Sequence, residues 1–297
     1  MITSQARQQR RPGVATTYVP GDRGLLERLL PSVDHLEVTP DTFAFEHSGQ
    51  GRLRLDALHE LRDVASDATL IVHGVGLSIG SYDGWSADYL HCLDQLMATV
   101  DVAWHSEHLG YTKVHGEFLG TMLPLPRTHE ALELVAERVT AVQERYDVPF
   151  LLENVVRMLP DHDSDYTEAA FLNELTSATG CGLLLDVYNL ECDQANNGFR
   201  IDEFLDELDL SAVREIHVAG GVKHRGVMLD VHSRPLKEST LSLAREVAGR
   251  AQHVETVTYE LLGEAVPVLG PEVIASELAR VRAVLESWPA ASTQAAR

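Results

Sequence analysis

Short apolar runs alternate along the chain with longer stretches of helical periodicity. The apolar runs at 13–18, 33–39, 69–73, 101–107, 149–154, 182–187, 213–218 and 257–260 are rich in Val, Ile and Leu. Such runs are expected of parallel strands covered on both faces. Between them, residues 86–100 bring Tyr89, Leu90, Leu93, Leu96 and Met97 onto one helical face. Residues 128–146 do the same with Leu132, Val135, Ala136, Val139 and Val142. Further helices are predicted over 23–30, 55–64, 168–179, 202–208, 237–251 and 271–285, the last with Pro271 in its first turn. Strand and helix alternating in this way predict an α/β fold, a (β/α)8 TIM barrel. A doubly wound open sheet is the alternative, and the missing GxGxxG opening counts against it.

The chain has 297 residues, enough for one large barrel. No linker divides it, so a single barrel domain is expected over 13–288, with disordered tails at 1–12 and 289–297. The formal net charge is −21. That balance opposes nucleic-acid binding, which draws on clustered Lys and Arg. No apolar run reaches the length of a membrane span, and no secretory apolar region follows the first arginines, so a cytoplasmic location is expected. Cys92, Cys181 and Cys192 form no CxxC pair and read as free thiols.

The chemistry gathers at the ends of the predicted strands. Ile71-Val72 runs into His73, and the strand through Trp104 runs into His105, Glu107 and His108. Leu151-Leu152 runs into Glu153-Asn154, and Leu184-Leu185 into Asp186. Ile216 precedes His217, and Tyr259 precedes Glu260. Barrel enzymes carry their catalytic groups at that end of the strands. The loop after the seventh strand adds Asp230-Val231-His232, whose two polar side chains share a face of an extended segment. Carboxylates crowded at one mouth repel one another, and bound divalent cations relieve the repulsion. Imidazole and carboxylate donors suit Fe, Mn or Zn. There are more candidates than one ion needs, which favours two or three ions bridged by a carboxylate such as Glu153 or Asp186.

Other polar residues have supporting readings. His105 and His108 differ in strand parity, so both are not expected to face the mouth. Glu215 lies one layer below His217 and reads as an orienter of its imidazole or part of a buried ionic layer. Glu37 ends the second strand as a substrate contact, a support behind a ligand, or a solvated side chain. Ser78 and Asn154 are candidates for substrate contact or ligand support. The glycine-rich 74–81 segment lacks the Lys-Ser/Thr of a phosphate loop and reads as a flexible loop admitting substrate to His73. Trp85, Trp104 and Tyr188 are read as core first and mouth lining second.

In order along the chain stand His73-Gly74-Val75-Gly76-Leu77-Ser78-Ile79-Gly80-Ser81, Ser106-Glu107-His108-Leu109, Leu151-Leu152-Glu153-Asn154, Leu185-Asp186-Val187-Tyr188-Asn189, Glu215-Ile216-His217-Val218-Ala219-Gly220 and Asp230-Val231-His232. This ordered set, within residues 13–267, resembles the multinuclear non-haem iron-dependent oxidative enzymes (MNIO), and among them the methanobactin-type peptide-modifying oxidases. The resemblance implies a barrel holding two or three irons of mixed valence, with O2 as co-substrate. It implies a ribosomally made precursor peptide as substrate, often oxidised at Cys, and a separate leader-binding partner protein. Carried over, the implied metal ligands are His73, His108, Glu153, Asp186, Asn189, His217, Asp230, His232 and Glu260, with Asp230 and His232 also catalytic. The chain departs from the family pattern at Tyr188-Asn189, where Asn-Asn is common, and at Leu261-Leu262, where Trp-Asp often follows the Glu. Two other functions fit the barrel: a metal-dependent sugar isomerase or epimerase, and a non-catalytic metal-binding scaffold. A trinuclear-zinc endonuclease is disfavoured by the acidic balance.

Overall fold

A computed structural model describes residues 11–47, 50–64, 66, 68–158 and 164–286. Residues 1–10 and 289–297 of the two expected tails lie outside the described residues. Eight parallel strands close into a barrel: β1 (Gly13–Thr17), β2 (His35–Val38), β3 (Thr69–Gly74), β4 (His105–His108), β5 (Phe150–Glu153), β6 (Gly182–Asp186), β7 (Val213–Val218) and β8 (Thr256–Tyr259). β1 closes the ring by pairing with both β2 and β8. The predicted TIM barrel is therefore the fold.

Around it lie α1 (Arg23–Leu29), α2 (Leu55–Val64), α3 (Ala87–Met97), α4 (His129–Arg145), α5 (Glu168–Thr179), α6 (Val187–Asn197), α7 (Ile201–Glu207), α8 (Glu238–Arg250) and α9 (Pro271–Glu286). Their starts are set by side-chain caps. Ser86, Thr128 and Thr167 accept the backbone N–H groups of Tyr89, Ala131 and Ala170 at the heads of α3, α4 and α5. The apolar faces of α3 and α4 are buried against the strands, with Leu93, Leu96, Val135 and Val139 fully enclosed.

Two elements differ from the sequence reading. β4 starts at His105 rather than 101, because the chain bends at Ala103, although Ala103 N–H still donates to Leu70 O. Helix α6 was not expected, since its sequence alternates apolar and polar residues without a clear stripe. Asp186 starts it by accepting the Asn189 N–H, and Gly198 ends it in the left-handed conformation.

Three hairpins also escape the periodicity. They cover Ala44–His47 with Gln50–Leu53, Gly110–Val114 with Glu117–Pro124, and Val222–His224 with Val227–Leu229. They follow β2, β4 and β7, so all three lie on the strands' C-terminal side. That side is the barrel mouth.

Strand parity sorts the interior into layers. Ala15, Ile71, Trp104, Leu151 and Leu184 make one buried cluster. Two residues further along their strands stand Thr17, His73, Ser106, Glu153 and Asp186. The apolar layer thus closes the axis beneath a polar one.

Candidate metal centre

His73 and His108 approach one carboxylate. The Nε2 atoms lie 3.0 and 3.2 Å from Glu153 Oε2. The other ring nitrogens fix the tautomers. His108 Nδ1 meets Gly74 O at 2.9 Å, and since a carbonyl only accepts, Nδ1 carries the proton. His73 Nδ1 meets Ser106 Oγ at 2.9 Å, and that hydroxyl gives its own proton to Val72 O. Both Nε2 lone pairs therefore point at a carboxylate oxygen. Acceptors facing acceptors need a cation between them.

The array continues past Glu153. Its Oε1 lies 3.8 Å from His217 Nδ1, which is 2.8 Å from Glu260 Oε2. Glu153, Asp186, His217 and Glu260 bring one donor atom each within 4.8 Å of one another. His232 Nδ1 is 2.8 Å from the same Glu260 oxygen, and its Nε2 lies 2.6 Å from Asp230 Oδ1 and 3.6 Å from Asp186 Oδ2. Two ligands bound at about 2.1 Å to one ion stand roughly 3 Å apart. The observed spacings are of that size.

The decisive observation is what these atoms lack. His73 Nε2, both Glu153 oxygens, Asp186 Oδ2, Asn189 Oδ1 and His232 Nε2 are buried without a hydrogen bond of good geometry. Buried polar groups are rarely left so. A single orphaned atom has many explanations, but a contiguous set of imidazole nitrogens and carboxylate oxygens has the composition of a set that could hold metal ions. The donors fit divalent metal ions.

The electrostatics of the metal-free residues agree. Burial alone would depress the His73 pKa, but Glu153 beside it overrides burial and pushes it up to about 9. Burial raises Asp186 to about 8, aided by Glu153 and Asp230 and opposed by His232. Glu153 goes down to about 2 against its burial, drawn by His108 and His73. His217 and His232 rise well above the usual imidazole range against their burial, under the charge of Glu37 and Glu260 and of Glu260 and Asp230 respectively. Without metal, protons hold this cluster together.

The supporting residues fall into place around it. Asn154 donates to Asp186 O and accepts Asp186 N–H, clamping the end of β6. Asn189 donates to Asn154 O, which leaves its Oδ1 as the free atom. Glu215 accepts from Trp104 Nε1 at 2.7 Å and Thr258 Oγ1 at 2.6 Å, with Oε1 3.4 Å from His217 Nε2. It is the buried carboxylate behind His217 that strand parity predicts. His105 turns outward to Glu107, at 2.9 Å, so of the pair only His108 reaches the cluster.

Three expectations need correction. Glu37 is not solvated: it is fully buried, 2.8 Å from His217 Nε2 and held by Thr17 Oγ1. Strand sequence alone gives no sign of what stands across the barrel. Ser78 has its hydroxyl engaged by Thr112 N–H, bracing the 110–124 hairpin. The 74–81 segment is packed, not an open loop: Leu77 and Ile79 are fully buried, and a Cβ on Gly74 would lie 1.8 Å from Tyr89 Oη. Ser106 was missed as a support, although it shares strand parity with His108.

A family model described as "RiPP precursor modification enzyme MbnB/TglH/ChrH" matches residues 23–286. The chain belongs to this family. Its members are described as acting on precursors of ribosomally synthesised, post-translationally modified peptides. A UPF0276 protein of Caulobacter vibrioides (strain NA1000 / CB15N) is 35% identical over 231 residues, covering 78% of this chain and 80% of that protein. A UPF0276 protein of Anaeromyxobacter sp. (strain Fw109-5) is 34% identical over 266 residues, 90% of this chain and 87% of its own. Among solved structures, D-psicose 3-epimerase with D-tagatose from Clostridium cellulolyticum H10 superposes with TM-score 0.59 at 14% identity, over 92% of this chain and 99% of that one. The 3-keto-D-glucoside 4-epimerase YcjR from E. coli gives 0.55 at 13%, over 92% and 99%. At such identity the likeness concerns the barrel fold alone.

Proposed function

We propose that this family member is a multinuclear non-haem iron, O2-dependent oxidase that modifies a residue, with Cys the leading candidate, of a ribosomally made precursor peptide. The observation that carries the reading is the contiguous set of buried donors without hydrogen-bond partners around Glu153. Iron and O2 come from the resemblance of the ordered motifs, and the peptide from the family description. His73, His108 and Glu153 would hold one ion; Glu153, Asp186, His217 and Glu260 a second; Asn189, Asp230 and His232 a third. Bound iron supplies the one-electron chemistry with O2 that no side chain of this chain provides.

The protein's own part is orientation and exclusion of water. Ser106 and the Gly74 carbonyl lock two imidazoles with Nε2 inward. Glu37 and Glu215 back the Nε2 edge of His217, which leaves its Nδ1 toward Glu153 and Glu260. The Asn154–Asp186 clamp aims the Asp186 carboxylate. The apolar layer below keeps water from entering along the axis. A separate protein recruiting the peptide, and action in the cytoplasm, belong to the same proposal.

Anaerobic purification with metal analysis, Mössbauer and EPR spectroscopy tests it. About two to three coupled irons per chain are expected, with an O2-dependent mass change on a Cys-bearing precursor peptide encoded nearby. Stoichiometric zinc, or a single manganese, would overturn the reading.

A further inference from the structure

The mouth carries a basic tip on an otherwise acidic protein. The chain has only three lysines, Lys113, Lys223 and Lys237, and all three lie in segments that follow barrel strands. The 219–237 loop alone holds Lys223, Arg225, Arg234 and Lys237, and all four are exposed. Among the described residues no ion pair engages any of the four.

The tip is rigid and strained. Asn196 on α6 donates to Met228 O and accepts Met228 N–H, pinning the Val222–Leu229 hairpin. Tyr188 Oη donates to Leu229 O at its base. At the turn Arg225 takes φ 48° and Gly226 φ 92°. This is the paired left-handed turn that favours Asn-Gly, and a long cationic side chain at its first position is costly. Such strain at an exposed tip, where packing does not demand Arg, points to the side chain's use.

Its position gives the use. Lys223 pairs with Met228, two residues before Asp230, so Lys223 stands roughly 9 Å and Arg225, at the turn, roughly 13 Å from Asp230. That is about three to four residues of extended chain. The rim beyond is apolar: Val75, Phe118, Leu119, Met158 and Leu262 are exposed, each in a segment following a barrel strand.

We infer that the Lys223–Arg225 hairpin tip is a docking site for an acidic segment of the peptide substrate, placed about three to four residues from the side chain that enters the metal centre. The inference rests on the peptide-modifying reading above and names which peptides it takes. An acidic segment meets four exposed cations of one loop at this side of the mouth, so the tip also sets its direction across the mouth.

The test uses the metal-loaded full chain and two fluorescein-labelled decapeptides, one alternating Glu with Gly and one alternating Gln with Gly, read by anisotropy. At low salt the Glu peptide should bind at least about tenfold tighter than the Gln peptide, and the difference should vanish near 0.5 M NaCl. K223E/R225E should abolish the preference with metal content unchanged. R225G should weaken it while melting no lower than the wild type, which separates docking from folding. Equal binding of the two peptides, a K223E/R225E variant that keeps the preference, or an oligothymidylate of the same charge binding as well as the Glu peptide would each overturn the inference. Iron analysis of the same samples keeps the two readings apart. Zinc in place of iron overturns the oxidase and leaves the Glu preference expected; an iron-loaded protein blind to Glu overturns the docking site alone.

Discussion

At the scale of single residues, the side chains that gather at the mouth are legible because strand parity and strand ends are visible in sequence. His73, Glu153, Asp186, His217 and Glu260 each close an apolar run, His108 ends the polar stretch after Trp104, and each reaches the cluster. Ser106 is not legible in its role, because it depends on a neighbour more than thirty positions away in another strand, and the partner of Glu37 across the barrel is equally hidden. Ser106 makes the sharper test. Ser106→Ala removes the acceptor that keeps the His73 proton on Nδ1. Metal affinity, read by competition with a chelator, should fall about 10–100-fold, while thermal stability of the chelated protein changes little. Glu153→Gln should be far more damaging, since one side chain faces two groups of donors; metal content should collapse in both.

At the scale of elements, the alternating pattern predicted the barrel strands closely and the mouth poorly. Strands and capped helices announce themselves by period, whereas the three hairpins carry mixed side chains without a sustained stripe. Helix α6 is hidden because it begins on a residue of the cluster: Asp186 ends β6, caps α6 and turns its second oxygen to the cluster. The 219–237 loop is held by close backbone packing at its root. A Cβ on Gly220 would lie 2.4 Å from Pro235 O and 2.5 Å from Arg234 O. Neither neighbour is a flexible side-chain end. Gly220→Ala should therefore cost about 1–3 kcal/mol in denaturant unfolding, and should displace Asp230 and His232, lowering the metal stoichiometry.

For the whole molecule, the buried charge makes stability depend on pH in opposite senses with and without metal. In the chelated protein His73 is raised to about 9, so its contribution is complete below pH ~6.5 and lost as pH climbs toward 9. Asp186, raised to about 8, favours the folded state when protonated, and that preference is lost between pH ~4 and 8. The melting temperature of the chelated protein should therefore fall from pH 6 to pH 9. Metal replaces those protons, so in the loaded protein the fall should be absent or reversed; equal slopes in scanning calorimetry would count against a metal centre here. The layer of Ala15, Ile71, Trp104, Leu151 and Leu184 beneath the donors has a consequence for traffic. A barrel plugged below its reactive layer is a cul-de-sac. Whatever reaches the donors must back out the way it came, so a long polymer cannot be threaded through and can only dip one side chain at a time. Residues in the middle of a chain are then as accessible as its ends, and release means lifting off the rim, a step that bulk at the modified position would hinder or hasten.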